Sequence, residues 1–136
     1  MGFQAGQVFI NFPVKDLQAS VEFFTAVGFE FDPNYTDENA TCMIINDKTY
    51  AMLLTREFFS TFSSKAITDT SSHTEVITAI SAVSREQVDE LVKKALAAGG
   101  KPYNDPSDMG FMYTWSFQDI DGHLWEIMYM DENAQQ

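Results

Sequence analysis

The chain carries one pattern twice, and a duplicated supersecondary unit restricts its fold more than any other feature. The first copy begins FINFPVKDLQASVEFFTAVGFEF and the second TAISAVSREQVDELVKKALAAGGKPY. Each is a short apolar strand ending in Val (Val14, Val83), a polar step, an amphipathic stretch of helical period and a glycine stop (Gly28; Gly99 and Gly100). Each then runs into strand-forming sequence, ATCMIINDKTYAMLLT in the first half and FMYTWSFQDIDGHLWEIMYM in the second. Strand, helix and three further strands, used twice, predict an α+β fold: two βαβββ modules that form a curved mixed sheet with a central cleft. The concave side of such a sheet is where a ligand fits.

The element boundaries follow from local chemistry. Residues 8–14 alternate as a strand, with Pro13 near its end, where a missing N–H does little harm. Asp16 is placed to cap a helix over 17–27 whose apolar stripe is Leu17, Val21, Phe24 and Val27, with Phe23 beside it. A second strand begins at 29–31, and DPNYTDENA reads as a polar loop. Residues 42–46 and 50–55 read as a hairpin about Asn46-Asp47-Lys48. REFFSTFSSK (56–65) predicts a short helix built on Phe58, Phe59 and Phe62, which would cover a sheet edge or a dimer contact, or close as a lid over the cleft. AITDTSSHT (66–74) is polar linker and the seam between modules. In the second copy Ser84 caps a helix reaching about Ala98, Gln87 completes a capping box, and Val88, Leu91, Val92, Ala95 and Leu96 face inward. NDPSDMG is a second loop, MYTWSF a strand, and Asp121-Gly122 a hairpin turn into HLWEIMYM. The tail DENAQQ is expected to fray. The whole is one domain, residues 1–136: module 1 over about 7–55, a connecting helix and linker over 56–75, and module 2 over about 76–131.

Composition removes several function classes. A net charge of −12, with eight Lys and Arg against twenty Asp and Glu, argues against a nucleic-acid partner, whose phosphates demand a basic patch. No apolar run approaches the ~18–20 residues needed to span a bilayer, so no membrane partner is expected. MGFQAGQ lacks the charged and apolar regions of a signal peptide. A single cysteine, Cys42, permits neither an internal disulfide nor a cysteine metal cluster and suits a reducing cytoplasm. Flanked by Thr41 and Met43, with no activating base in sequence, it reads as an inert buried thiol. Free sheet edges and aromatic faces predict a homodimer.

NFPVKDLQASVEFFTAVGFEF resembles the opening of the vicinal oxygen chelate superfamily, and DIDGHLWEIMYM resembles its closing hairpin. That superfamily contains glyoxalase I, extradiol dioxygenases and bleomycin- and fosfomycin-resistance proteins. The resemblance spans residues 8–131. TDENATCMII, YAMLLT, EVITAISAVSREQVDELVKKALAAGGK and GFMYTWSFQDIDGHLWE are similar to a bacterial glyoxalase/bleomycin-resistance-like subgroup labelled predicted lactoylglutathione lyase. It implies the glyoxalase/bleomycin resistance/dioxygenase fold and, for metal-using members, one divalent ion held by four side chains. The implied ligand positions fall on Phe9, on Met52 (or Leu53 in a shifted register), on about Thr78 and on Glu126. Only Glu126 is a ligand type, and the site needs several N or O donors, so no cofactor is expected and metal-dependent glyoxalase chemistry is disfavoured. His73 lies in the linker, and His123 has strand parity opposite to Glu126, so neither is expected to ligate. The DxDG turn lacks the remaining oxygen ligands of a calcium loop.

Strand alternation puts Phe9 with Asn11, Met52 with Leu54, and Glu126 with Met128. Under the superfamily arrangement Phe9, Asn11, Met52 and Glu126 would line one mostly apolar cavity with an amide and one carboxylate. Tyr113 and Trp115 share a face of their strand and would form a stacking wall, while Met112 and Thr114 point the other way; alternation leaves open which face turns inward. Three functions compete. In the first, a small apolar or aromatic molecule is bound without metal. In the second, a lyase, isomerase or dioxygenase-type enzyme uses Glu126 as base or residual ligand. In the third, the pocket is vestigial and the protein works by dimerisation or partner binding.

Overall fold

A computed structural model describes residues 2–131 and 133. The chain divides into two units, Met1–Ile67 and Thr68–Gln136, so the seam falls inside the linker expected at 66–74. Most of the tail read as frayed, residues 132 and 134–136, lies outside the described residues.

In the first unit β1 (Val8–Val14) leads into α1 (Leu17–Val27), followed by β2 (Glu30–Asp32), β3 (Ala40–Ile44), β4 (Thr49–Thr55) and the short α2 (Arg56–Ser60). The sheet order is β1-β4-β3-β2, with β1 parallel to β4 and the other pairs antiparallel. Asp16 caps α1 by accepting from the Ala19 N–H at 3.1 Å. Gly28, at φ 126, closes it with its N–H on Phe24 and Thr25 carbonyls, a conformation open to glycine. The buried face of α1 is Ser20, Phe23, Phe24 and Val27, while Leu17 and Val21 of the expected stripe are only half-buried. The helix turns toward its bulkiest pair because Phe23 meets Phe24 edge-to-face at 4.9 Å, and Phe24 meets Phe29 at 5.9 Å. Phe12, Val14, Met43, Ala51 and Leu53, all within 2% of full burial, supply the sheet side of this core.

The second unit repeats the topology. β5 (Ile77–Ser81), α3 (Arg85–Ala97), β6 (Lys101–Pro102), β7 (Ser107–Asp108), β8 (Met112–Gln118) and β9 (Leu124–Met130) follow in order. The sheet runs β5-β9-β8-β6, with β5 parallel to β9 and β7 added on β8. The short β7 arises within the stretch read as a loop, pairing Ser107 with Thr114 and Asp108 with Tyr113. Ser84 caps α3 through the Gln87 N–H at 3.1 Å. The Gln87 side chain reaches back to the Val83 N–H at 2.8 Å rather than to that of Ser84, a one-residue variant of the expected capping box. Val88, Val92 and Ala95 are fully buried against the sheet.

The β8–β9 turn is held from both sides. Asp119, buried, accepts from the Asp121 N–H at 2.9 Å, the His123 N–H at 3.0 Å and the Trp125 indole N–H at 3.0 Å. Burial nevertheless pushes its carboxyl above the usual range. From the linker, Thr70 Oγ1 donates to the Asp121 carbonyl at 2.5 Å, and Glu75 Oε1 lies 2.8 Å from His123 Nδ1. His123 is thus a buried structural residue, in keeping with its parity.

Candidate functional site

The register decides which sequence candidates share a face. In the first unit Phe9 lies beside Tyr50, and Asn11 beside Met52, across the parallel β1–β4 pair. Cys42 lies opposite Met52 on β3. Phe9, Asn11 and Met52 point away from the core under α1, because Phe12, Ala51 and Leu53, of opposite parity, are fully buried residues of these strands. Phe9, Asn11 and Met52 therefore share a face, as the alternation predicts, but Met52 does not line the groove formed there. Phe9 stacks on Tyr50 with centroids 5.1 Å apart and an 18° interplanar angle, yet remains 50% exposed. Asn11 is exposed, and its carboxamide makes no hydrogen bond to any described residue. Cys42 is 1% exposed, and burial, then Asp32, raise its thiol pKa, so it is poorly suited as a nucleophile.

α2 completes this face. Thr55 caps it through the Phe58 N–H at 3.3 Å, and Phe58 meets Phe62 edge-to-face at 5.0 Å. Phe59, Phe62 and Ser63 then form a groove of ≈ 560 Å³ with Phe9, Ile10, Asn11 and Leu54. The phenylalanines read from sequence chiefly as edge or dimer cover are thus, for Phe59 and Phe62, groove wall. The signal was present in the sequence, as an aromatic helix following directly on β4.

In the second unit Glu126 lies opposite Ser116 on β8 and beside Ala79 on β5. It faces away from α3, is half-buried, and makes no hydrogen bond or ion pair with any described residue. Tyr113 and Trp115 do not join it. They lie opposite Tyr129 and Ile127, on the helix side, where the Tyr113 hydroxyl donates to Asp89 Oδ1 of α3 at 2.5 Å. That bond, with partial burial, pushes the phenol pKa up to about 12. The stacking wall expected from Tyr113 and Trp115 is corrected accordingly: strand parity commits both to the face opposite the carboxylate. Arg85 packs over Tyr129 at 5.3 Å, bonds Asp108 Oδ2 at 3.2 Å and donates to the Gly110 carbonyl at 2.8 Å. This cluster ties the 103–110 loop to α3.

Thr78, the implied third ligand position, is corrected as well. It sits on the helix side, buried, with its hydroxyl unpartnered, and Ala79 occupies the place beside Glu126. The implied positions therefore present Phe9 and Met52 in one unit and a lone carboxylate in the other. A divalent ion that needs several N or O donors does not fit this set. Among the described residues no three His, Cys, Asp or Glu side chains are grouped to hold a metal. His73 is exposed, with Nδ1 2.8 Å from Ser72 Oγ.

Comparison with known proteins finds a matching family and closely similar folds. The family model for the Glyoxalase/Bleomycin resistance protein/Dioxygenase superfamily matches residues 6–127. The chain belongs to this superfamily. Among solved structures it is similar to hypothetical protein SA1046 from S. aureus, at 28% identity over 94% of this chain and 95% of that one, with a TM-score of 0.78. A glyoxalase-related enzyme from Fulvimarina pelagi gives 21% identity, coverage of 93% and 88%, and a TM-score of 0.77. The genomically encoded fosfomycin resistance protein FosX from Listeria monocytogenes gives 20% identity, coverage of 98% and 100%, and a TM-score of 0.70. At such identities the last two establish the superfamily fold, and chemistry has to come from the side chains. No curated protein matches the chain in sequence. Among the described residues no helix is long and apolar enough to cross a membrane.

Proposed function

We propose that this superfamily member binds a small apolar or aromatic molecule without the help of a metal, in the aromatic groove of its first unit. The observation that carries the proposal is the lining itself: Phe9, Leu54, Phe59 and Phe62 around an Asn11 amide that no described residue satisfies. Mostly apolar concave surfaces with few convergent polar groups are what small-molecule sites are made of. One of its structural neighbours is a fosfomycin resistance protein. The neutral planar dye Nile red, titrated into full-length protein in the presence of EDTA, should bind saturably. Phe9→Ala should weaken it by about tenfold or more, the worth of one lost aromatic contact surface. Unsaturable binding, or equal affinity in the variant, would sink the proposal.

One observation favours a second reading, in which Glu126 is the proton acceptor of a lyase or isomerase. A half-buried carboxylate with no structural partner is free to act on a substrate. Under that reading Glu126→Gln abolishes turnover while unfolding free energy changes by no more than about 0.5 kcal/mol. A cytoplasmic setting, supported by the buried free thiol of Cys42, and a homodimer belong to the same proposal. Val8, Phe9 and Ile77, exposed on the strands that end each sheet order, support the dimer.

A further inference from the structure

We infer that the groove of the first unit selects uncharged aromatic molecules presenting a hydrogen-bonding group to Asn11, and disfavours ionised forms of the same ring systems. The inference rests on the binding role proposed for that groove and specifies its ligand class. No side chain lining the groove carries a charge. The first unit has Lys15, Lys48, Arg56 and Lys65, but none of them lines it. A carboxylate seated there would lose water and gain no cation, and an uncompensated charge is costly to desolvate. The chain's charge of −12 adds an unfavourable field for anions.

An ammonium fares little better at close range, since no carboxylate lines the groove. Phe9 already stacks a face on Tyr50, and Phe62 is held edge-to-face with Phe58. What remains for specificity is neutral hydrogen bonding. Ser63 Oγ already accepts from the Lys65 N–H at 3.1 Å. The Asn11 carboxamide has its carbonyl and both N–H groups available, and it can pair on two points with an amide, a lactam or a hydroxylated ring edge. A planar ring slides between the phenylalanines, and its uncharged polar edge meets Asn11.

Four naphthalenes of one ring size test this on the full chain near neutral pH, with EDTA present and isothermal titration as the readout. They are naphthalene, 2-naphthamide, 2-naphthoate and 2-naphthylmethylammonium. The amide should bind about tenfold or more tighter than either ion, and several-fold tighter than naphthalene. Asn11→Leu should erase the advantage of the amide over naphthalene while leaving naphthalene bound; Asn11 is exposed, so the variant is expected to fold. Either ion matching or exceeding the amide would overturn the inference while leaving aromatic binding standing. An unchanged amide preference in Asn11→Leu would overturn the role of Asn11. If neither naphthalene nor Nile red binds, the groove reading fails and the inference with it.

Discussion

Gly122 is the position at which one added methyl group should do the most traceable damage. Its φ is +83, a left-handed conformation that costs an L-residue about 1–2 kcal/mol. A Cβ built there would lie 2.6 Å from Thr70 Oγ1 and 2.9 Å from Thr70 Cβ. Thr70 cannot yield without breaking its 2.5 Å hydrogen bond to the Asp121 carbonyl, a loss of about 1 kcal/mol. Overpacking of this kind costs about 1–3 kcal/mol. Gly122→Ala should therefore lower the unfolding free energy by roughly 2–5 kcal/mol, with strain and crowding adding. The crowding part is separable by a double-mutant cycle. Thr70→Ala is the wrong partner, because its Cβ is itself one of the clashing atoms; Thr70→Gly removes both, and the next nearest atom, the Thr70 carbonyl oxygen, lies at an ordinary 3.5 Å. In the Thr70→Gly background Gly122→Ala should cost only the conformational part, giving a coupling of roughly 1–3 kcal/mol in urea melts. Additivity within about 0.5 kcal/mol would show that the linker does not press on this turn, and the reasoning would be wrong.

Two further outcomes follow from polar groups on the α3 side. Thr78→Val removes a buried hydroxyl without a partner at nearly constant shape, so it should be neutral or stabilising by up to about 1 kcal/mol in urea denaturation; a clear loss would mean that the hydroxyl is satisfied in solution. The Tyr113 phenol is raised to about 12 in the fold, above its ordinary ~10 in the unfolded chain. Its contribution should thus be fully present below about pH 10 and be lost as pH climbs toward about 12. The stability difference between wild type and Tyr113→Phe should be flat up to that window and shrink through it, and a difference that grew there would contradict the Tyr113–Asp89 bond.

The repeat and its elements were legible because they are written in local chemistry. Asp16, Gly28 and Ser84 act where capping rules place them, and β1 and α1 take the predicted bounds. What misled was the equivalence of Val14 and Val83. They look like matched strand ends, yet Val14 is 2% exposed and Val83 80%. One residue, Lys15, separates Val14 from its cap, whereas Val83 adjoins Ser84 directly. Counting back from the valines puts the counterpart of Phe9 at Thr78, on the helix side; counting back from the caps puts it at Ile77, on the correct face. The faces of Tyr113 and Trp115 were unreadable for a related reason. MYTWSF sets Tyr113, Trp115 and Phe117 on one face and Met112, Thr114 and Ser116 on the other, and an aromatic face suits a ligand cleft as well as a helix, so alternation fixes parity but not direction until Asp89 claims the Tyr113 hydroxyl.

Aligned on the two caps, the repeats show where the framework stopped constraining chemistry. Phe9 with Tyr50 and Asn11 with Met52 occupy the places taken in the second copy by Ile77 with Leu124 and Ala79 with Glu126. Helix-side residues mostly keep their apolar character in both copies, because each must bury a helix; Phe12 and Leu53 correspond to Ile80 and Ile127, and Thr78 in the place of Ile10 is the exception. The other face is under no such demand, and its side chains have diverged in kind: aromatic rings, sulfur and an amide in one copy, aliphatic side chains and a carboxylate in the other. A metal site needs several N or O donors, and among these places Glu126 is the one carboxylate and no histidine is present.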